Sequence, residues 1–489
     1  MKKLILIACT LCCASLSCTA GLSLKVRGQK TLTPENHIIR LNEHGNLETI
    51  EGDPFPSREA ENQYMRNIME KAYRHGKVLI FIHGGLNGKG AGSERFRDDA
   101  QPMMDAGYYP IFIVWPSGIL STYGYHLIRL RPPERSNSIE KGLAIPLNLI
   151  ADLGRAVVRS PLVNWNLIEN DWSGSVAEEL ITGRKRFKLI NQHEDIMKGF
   201  GTNRVRLEHQ RIRLESDQRG YGEMSAYFGL YVLTFAGKLV TAPFIDAFGR
   251  SGWQEMNARL DRISSRPLSE NDVTNSPAAL PRFFDMLEHD HRSTNITLVG
   301  HSMGAILINK MLPDYKAKLA RVVFLAAACS IDDFERGTLR YLEKNPGVEF
   351  FQMTLHPAAE SREIVKLALD LTPRGSLLVW IDEFLDPAQS SAQRRLGKWA
   401  NFYEIDHDTA VPFLKRMNTP ALSNAWTRGF GVGSTATIYN GSSWNRVATT
   451  NPPTVMKSYP QTHHDMGAFT NYYYWSDEFL LNRESKKAD

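Results

Sequence analysis

The most constraining feature of the sequence is a pair of apolar runs on either side of a helix-like segment. Residues 77–82 form a continuous β-branched, aliphatic and aromatic run between Gly76 and Gly84, which is typical of a strand buried on both faces. Residues 93–106 have a helical pattern, and residues 109–115 form a second apolar run. A strand, a helix and a strand within about 40 residues predict a βαβ unit and hence a parallel sheet.

Three more apolar runs, at residues 295–299, 321–325 and 348–355, continue this alternation. Near the N-terminus, residues 37–51 contain an Asn-Glu-His-Gly turn between two short strand-like runs, which predicts an edge hairpin, and residues 58–75 are helix-like. The predicted fold class is therefore α/β, with a doubly wound, mostly parallel sheet.

The alternation is interrupted between the second and third apolar runs by roughly 175 residues, a span too long for a loop. It contains apolar helical segments at residues 143–163 and 226–248. The second approaches membrane-spanning length, but Lys238 lies inside it and Pro243 closes it, so we expect a buried or interfacial helix. The basic run at residues 184–188 favours a solvated face over a lipid-binding patch.

These boundaries predict a chain in which the α/β core is interrupted twice. The predicted parts are a signal peptide (residues 1–20), the first part of the core (21–116) and a large, mainly helical insertion (117–290). A second core segment (291–370), a second insertion (371–453) and a C-terminal core segment (454–489) follow.

The first twenty residues have the pattern of an export signal. Lys2 and Lys3 precede an apolar stretch at residues 4–16, which is shorter than the roughly 20 residues needed to span a bilayer. Ser17-Cys18 resembles a bacterial lipoprotein signal, in which Cys18 would carry the lipid and attach the protein to a membrane. Ordinary cleavage after Ala20 is the alternative. We expect an exported protein, either a cell-envelope lipoprotein or a secreted one.

Charge and cysteine content exclude two classes. The formal net charge of +5 is small for 489 residues and gives no support for a nucleic-acid partner. Four of the five cysteines lie in the first eighteen residues, and Cys329 is the one that remains. A disulfide framework is therefore excluded, and the fold must depend on core packing.

A candidate nucleophile follows the third apolar run. Residues 300–304 read G-H-S-M-G and lead into an apolar helix-like segment. A G-x-S-x-G turn between a strand and a helix raises its serine above the edge of the sheet. Ser302 is therefore the predicted nucleophile, and a structural or phosphate-type glycine turn is the alternative.

A candidate oxyanion loop follows the first apolar run. Residues 83–88 read H-G-G-L-N-G, and the glycines allow a backbone N–H to face a developing oxyanion. The predicted donors are the N–H groups of Gly85 and of Met303, the latter at a helix N-terminus. A merely flexible glycine loop is the alternative.

Residues 82–85 (I-H-G-G) and 298–304 (L-V-G-H-S-M-G) resemble the α/β-hydrolase superfamily, in particular its serine esterases and lipases. The resemblance covers the core strands, about 200 residues, and neither insertion. It implies a catalytic acid after Ser302, a catalytic histidine near the C-terminus, and a cap in the first insertion.

The resemblance implies that His463, in the T-H-H-D-M-G-A-F segment at residues 462–469, is the catalytic base. His464 is the alternative. A metal site built from these histidines and Asp465 is not favoured, because adjacent side chains diverge.

The implied acid is Glu360, which lies in the loop after the fifth predicted strand. Asp332 and Asp333 follow the fourth strand and are the alternatives. The same two residues would also serve as the N-terminal cap of a helix at residues 334–344.

The sequence thus predicts an exported serine hydrolase that cleaves carboxylic esters, of hydrophobic or lipid type, through an acyl-enzyme and without a cofactor or metal. An acyltransferase of the same fold and a catalytically silent, surface-anchored binding protein are the alternatives.

Overall fold

The structure of the protein is a computed structural model. The residues that it describes are 32–85, 91–118, 122–123, 126–127, 138–168, 221–266, 277–289, 295–355, 360, 363, 372–373, 375–398, 401, 425–430, 436–440, 446–450, 462–463 and 465–467. The predicted signal peptide with Cys18, loop residues 86–88 and His464 lie outside these residues.

Within the described part of the chain, ten strands form one sheet in the order β10-β9-β8-β7-β6-β5-β3-β4-β1-β2. Their bounds are Ile38–Leu41 (β1), Leu47–Glu48 (β2), Val78–Ile82 (β3), Tyr109–Val114 (β4), Ile296–His301 (β5), Arg321–Leu325 (β6), Glu349–Leu355 (β7), Ala425–Phe430 (β8), Ala436–Asn440 (β9) and Arg446–Thr450 (β10).

Seven neighbouring strands of this sheet, from β8 to β1, run parallel, and β2, β9 and β10 pair antiparallel at the two edges. Every residue of β3, β4, β5 and β6 is buried. This agrees with their continuous apolar runs, because a parallel strand is covered on both faces. The predicted α/β class and mostly parallel sheet are confirmed.

The helices are α1 (Arg58–His75), α2 (Ala91–Asp105), α3 (Ser138–Ile168), α4 (Tyr221–Ile263), α5 (Ala279–His289), α6 (Gly304–Met311), α7 (Ile331–Phe334), α8 (Arg340–Lys344) and α9 (Leu377–Trp380). A π-helical turn, Glu335–Leu339, joins α7 to α8, and Ile381–Leu385 continues α9 in the same way.

The ends of α1 follow directly from its sequence. The hydroxyl of Ser57 accepts a hydrogen bond from the N–H of Ala60 at the first turn, and Gly76 ends the helix with a φ of 92°. Serine at the start and glycine just past the end satisfy backbone groups that a helix leaves open.

The described residues divide into two compact units. The sheet unit contains those within residues 22–116, 258–356 and 391–489, and the helical unit contains those within 117–257 and 357–390. These boundaries differ from the predicted insertions at 117–290 and 371–453. Helix α5 belongs to the sheet unit, and β8, β9 and β10 extend the sheet beyond β7.

In the part of the chain that the structure describes, we find no helix with both the length and the apolar character needed to cross a membrane.

Candidate active site

Ser302 stands on a strained turn at the end of β5. Its φ is +52°, in the left-handed region, which costs a residue with a side chain about 1–2 kcal/mol. The N–H of Ser302 donates to the carbonyl of Leu325 (2.9 Å), and its own carbonyl accepts from the N–H of Ala328 (3.0 Å) and Ala305 (3.1 Å). These bonds to the end of β6 and to α6 fix the turn, and Ser302 is only 1% exposed.

The glycines of the turn provide space. A Cβ on Gly300 would lie 2.7 Å from Cδ1 of Ile308, and one on Gly304 would overlap the carbonyl oxygen of Ile82. Among these residues only Ser302 has a positive φ. The two glycines of the G-x-S-x-G pattern therefore allow α6 to pack closely on β3 and β5. The residue that adopts the left-handed conformation at the bend is Ser302.

His463 meets Ser302 although 161 positions separate them in the sequence. Its Nε2 lies 3.0 Å from Oγ of Ser302, and both side chains are buried. This distance is within the range in which an imidazole can take the proton of a hydroxyl. The structure thus brings together the predicted nucleophile and the predicted base.

His301, inside the nucleophile turn, contacts the same histidine. Its Nε2 lies 3.2 Å from the carbonyl oxygen of His463, and the two rings are 5.3 Å apart. Because a carbonyl oxygen only accepts, His301 must donate from Nε2 to form this hydrogen bond. The turn that presents the serine therefore also holds the backbone of the histidine.

Arg95 on α2 fixes the segment that follows His463. Its guanidinium donates to the carbonyl oxygen of Gly467, in the 3-10 turn Asp465–Gly467. It also lies 3.9 Å from the carboxylate of Asp99, which is buried one turn further along α2. Sequence reasoning missed Arg95, because nothing local to residues 91–105 indicates a contact 372 positions away.

His83 holds the candidate oxyanion loop and is not a second base. Its Nε2 accepts from the N–H of Trp115 (3.1 Å), so Nδ1 carries the proton and donates to the carbonyl of Gly84 (2.7 Å). The indole of Trp115 stacks on the imidazole and donates to the carbonyl of His83. Burial lowers the pKa of His83 to about 4, so the ring is neutral at neutral pH.

The two candidate oxyanion donors follow neighbouring strands. β3 and β5 pair in parallel, with Ile82 opposite Gly300, so their carboxyl ends meet at one edge. Gly84 packs so closely there that an added Cβ would lie 2.8 Å from Cβ of Ser302. Gly85 follows it and is half-buried, and Met303 is fully buried at the N-cap of α6. A helix N-terminus favours negative charge.

Glu360 is a buried carboxylate of the helical unit, 2% exposed. The hydroxyl of Ser376 donates to its Oε1 (3.2 Å). Its assignment as the catalytic acid stays a prediction.

Asp333 takes part in the cap of α7, whose N-cap residue is Ser330. The N–H of Asp333 donates to the hydroxyl of Ser330, and the carboxylate of Asp333 accepts from the N–H of Ser330. Arg336 pairs with both aspartates, at 2.7 and 3.3 Å, and both carboxylates are exposed. The helix thus begins at Ile331 with Ser330 as its N-cap, earlier than the predicted start at residue 334, and both aspartates lie in its first turn.

Cys329 is not a candidate nucleophile, because burial raises the pKa of its thiol and so disfavours the reactive thiolate. Among the described residues, no cluster of three or more His, Cys, Asp and Glu side chains could hold a metal ion.

A mostly parallel sheet with a serine turn at the end of its central strand and a histidine at that serine defines the α/β-hydrolase class. Comparison with known families agrees. The Hydrolase_4 family model, described as serine aminopeptidase, S33, matches residues 272–366, about a fifth of the chain, including the nucleophile turn. The chain is a member of the α/β-hydrolase superfamily, and the match supports a hydrolase. Neither the curated proteins nor the solved structures contain a match.

Proposed function

We propose that the protein is an exported serine hydrolase that cleaves carboxylic esters through an acyl-enzyme. The observation that carries this proposal is the 3.0 Å contact between Nε2 of His463 and Oγ of Ser302 on a left-handed turn. A serine hydroxyl is a poor nucleophile at neutral pH, and an adjacent base makes it reactive. The strain at Ser302 supports a role in chemistry, because strained residues cluster at functional sites.

In the proposed mechanism, Oγ of Ser302 attacks the ester carbonyl carbon while Nε2 of His463 takes the hydroxyl proton. The N–H groups of Gly85 and Met303 donate to the resulting oxyanion, and each such donor contributes about 2.7–4 kcal/mol in known enzymes. Collapse of the intermediate breaks the bond to the alcohol, which leaves with the proton from His463. Water then repeats both steps on the acyl-serine, and the carboxylate of Glu360 stabilises the imidazolium.

The substrate that we propose is a hydrophobic or lipid ester. The apolar helices at residues 143–163 and 226–248 fall where this superfamily carries a cap, and the predicted export signal would suit an enzyme that acts outside the cytoplasm.

A second candidate activity is hydrolysis of a peptide or amide bond. The description of the matching family model, a serine aminopeptidase, favours it. The same residues would serve, with His463 returning its proton to a leaving amine.

The test is labelling with a fluorophosphonate probe, followed by turnover of chromogenic esters of short and long acyl chains and of aminoacyl nitroanilides. We expect labelling of the wild type, no labelling of Ser302→Ala, and faster turnover of long-chain esters than of anilides. Faster turnover of the anilides would favour the peptidase, and acyl transfer to an added alcohol in place of water would favour an acyltransferase. A folded wild type that is not labelled would contradict the proposal.

The acid is tested separately. We expect Glu360→Gln to lower kcat by about 10³–10⁴, the loss expected when a triad histidine loses its orienting carboxylate. The paired control is Asp332→Asn with Asp333→Asn, which should lower stability slightly and leave kcat unchanged. Full activity of Glu360→Gln would remove Glu360 from the mechanism.

A further inference from the structure

His301 is the last residue of β5 and lies directly before the candidate nucleophile. Its backbone pairs with Leu325 of β6, and its side chain is buried, with 7% exposure. A side chain that starts from a paired central strand is placed more precisely than one that starts from a loop. The imidazole of His301 is therefore a rigid feature beside Ser302.

The first contact of this imidazole is with the candidate base. Nε2 of His301 donates to the carbonyl oxygen of His463 (3.2 Å), while Nε2 of His463 lies 3.0 Å from Oγ of Ser302. Because the peptide unit is planar, a hydrogen bond to the carbonyl of His463 fixes the orientation of the backbone that carries the base. The bond thus acts on the position of the base.

The second contact is with the turn that follows the base. A Cβ on Gly467 would lie 2.8 Å from Nδ1 and 2.9 Å from Cε1 of His301, and 3.1 Å from the guanidinium of Arg95. Side chains are not found at such short distances, so only glycine fits at residue 467. The imidazole of His301 thus contacts the segment 463–467 at both of its ends.

The third contact is with the candidate oxyanion loop. A Cβ on Gly84 would lie 2.9 Å from Nδ1 of His301 and 3.2 Å from its carbonyl oxygen. Gly84 directly precedes Gly85, whose N–H is a proposed oxyanion donor. One imidazole therefore packs against the backbone of two loops that come from distant parts of the sequence, and it extends from the strand that presents the nucleophile.

We propose that His301 is a positioning residue that holds the base at the distance from Ser302 that proton transfer requires. The inference rests on the proposed hydrolase function, and His301 acts in it through His463. A buried histidine that only filled space could be replaced by any side chain of similar length. A positioning histidine can be replaced only by a side chain that keeps a donor near the place of Nε2.

The experiment compares His301→Gln with His301→Met in steady-state hydrolysis of a chromogenic ester. Both replacements are unbranched and similar in length, but only glutamine has an N–H to donate. We expect His301→Met to lower kcat by about 10–100-fold with little change in KM, and His301→Gln to keep kcat within about threefold of the wild type. The rate at which a fluorophosphonate probe labels Ser302 should follow the same order.

A double-mutant cycle tests the packing of the ring. Gly467→Ala places a methyl group against the Nδ1–Cε1 edge of His301, and we expect it to lower kcat by about tenfold. In the His301→Gln background, which lacks this ring edge, the same substitution should cost about threefold or less. Losses that simply multiply would contradict the coupling between His301 and the turn.

Urea unfolding of each variant separates positioning from lost stability. The control is Ile68→Ala, which opens a cavity at a buried position of α1 and should lower the unfolding midpoint while kcat stays unchanged. If His301→Met does not fold, the Gly467 cycle decides.

Two results would overturn the inference and leave the proposed hydrolase intact: wild-type kcat in His301→Met, or equal losses of kcat in the Met and Gln variants. A folded wild type that is not labelled and turns over no ester would instead remove the hydrolase function, and the role of His301 with it.

Discussion

The sheet unit and the helical unit differ in where they place charged and apolar side chains. In the sheet unit, β3 to β6 are buried apolar strands, and the reactive pair Ser302 and His463 lies where β5 ends. In the helical unit, Asp152 and Asp246 are buried and pair with half-buried arginines (Arg155, Arg159 and Arg250), whereas Val157 and Val158 on α3 are 75% and 80% exposed.

The comparison shows that a buried side chain is not necessarily an apolar one. In the sheet unit, removing apolar area from water holds the strands together. In the helical unit, α3 and α4 bury apolar side chains such as Val163 and Ile245 and are also joined by a charged pair, Arg159 with Asp246. A buried charge of this kind is stable only while it keeps its partner. Strain at Ser302 is tolerated in the first unit because the surrounding sheet fixes the turn.

The largest expected effect is in the reactive pair. We expect His463→Gln to lower kcat/KM for a chromogenic ester by about 10³–10⁶, because Ser302 would lose its base, and Ser302→Ala added to it should cost little more. Steady-state kinetics of both single variants and the double variant measure this. Losses that multiply in the double variant would mean that the two residues do not act together.

The next effect separates the two units. Asp246→Ala leaves Arg159 and Arg250 without their shared partner, and we expect it to lower the free energy of unfolding by about 3–5 kcal/mol. The control Val158→Ser, at an exposed valine of α3, should change the free energy of unfolding by no more than about 0.5 kcal/mol. Urea denaturation compares them. A reversed order would mean that Val158 belongs to the core and Asp246 does not.

A smaller effect depends on pH and concerns the sheet unit. The folded pKa of His83, about 4, lies below the unfolded value of 6.5, so the unfolded chain binds the proton first as the pH falls. The protein should therefore lose stability between pH 6.5 and pH 4, by about 3 kcal/mol from this group. The pH dependence of urea unfolding measures the loss, and His83→Gln should flatten it over this range. An equally steep loss in that variant would assign it to other groups.

The smallest catalytic effect concerns positioning. Arg95→Ala should lower kcat by about 10–100-fold with little change in KM, because the turn after His463 would shift while the binding surface stays intact. Added guanidinium should restore part of the rate. The matched control is Arg97→Ala, an exposed arginine of the same helix, which should keep full activity. Equal losses in both variants would rule out a specific role for Arg95.

Local pattern was enough to predict much of the sheet unit. The apolar runs at 77–82 and 109–115 became β3 and β4, and the pattern at 58–75 became α1 with the same bounds. Ser302 could be predicted as well, because a strand, a tight turn and a helix are contiguous in the sequence.

Long-range contacts and solvent exposure could not be predicted from the sequence. The bond between Arg95 and Gly467 joins positions far apart, and neither has a local signal. Residues 425–450 were predicted to lie in an insertion, because their Gly, Asn, Ser and Thr content hides strands that pair with β7 and with one another. The apolar periodicity of α3 predicted its helix but not its exposure, because a helical period does not say what covers the apolar side.

The most direct test of the central claim is peptide mass spectrometry of the protein quenched early in its reaction with a chromogenic ester. The account predicts a burst of released alcohol and an acyl group on the peptide that contains Ser302. Turnover without a burst and without that acylated peptide, or an acyl group on a different residue, would contradict it.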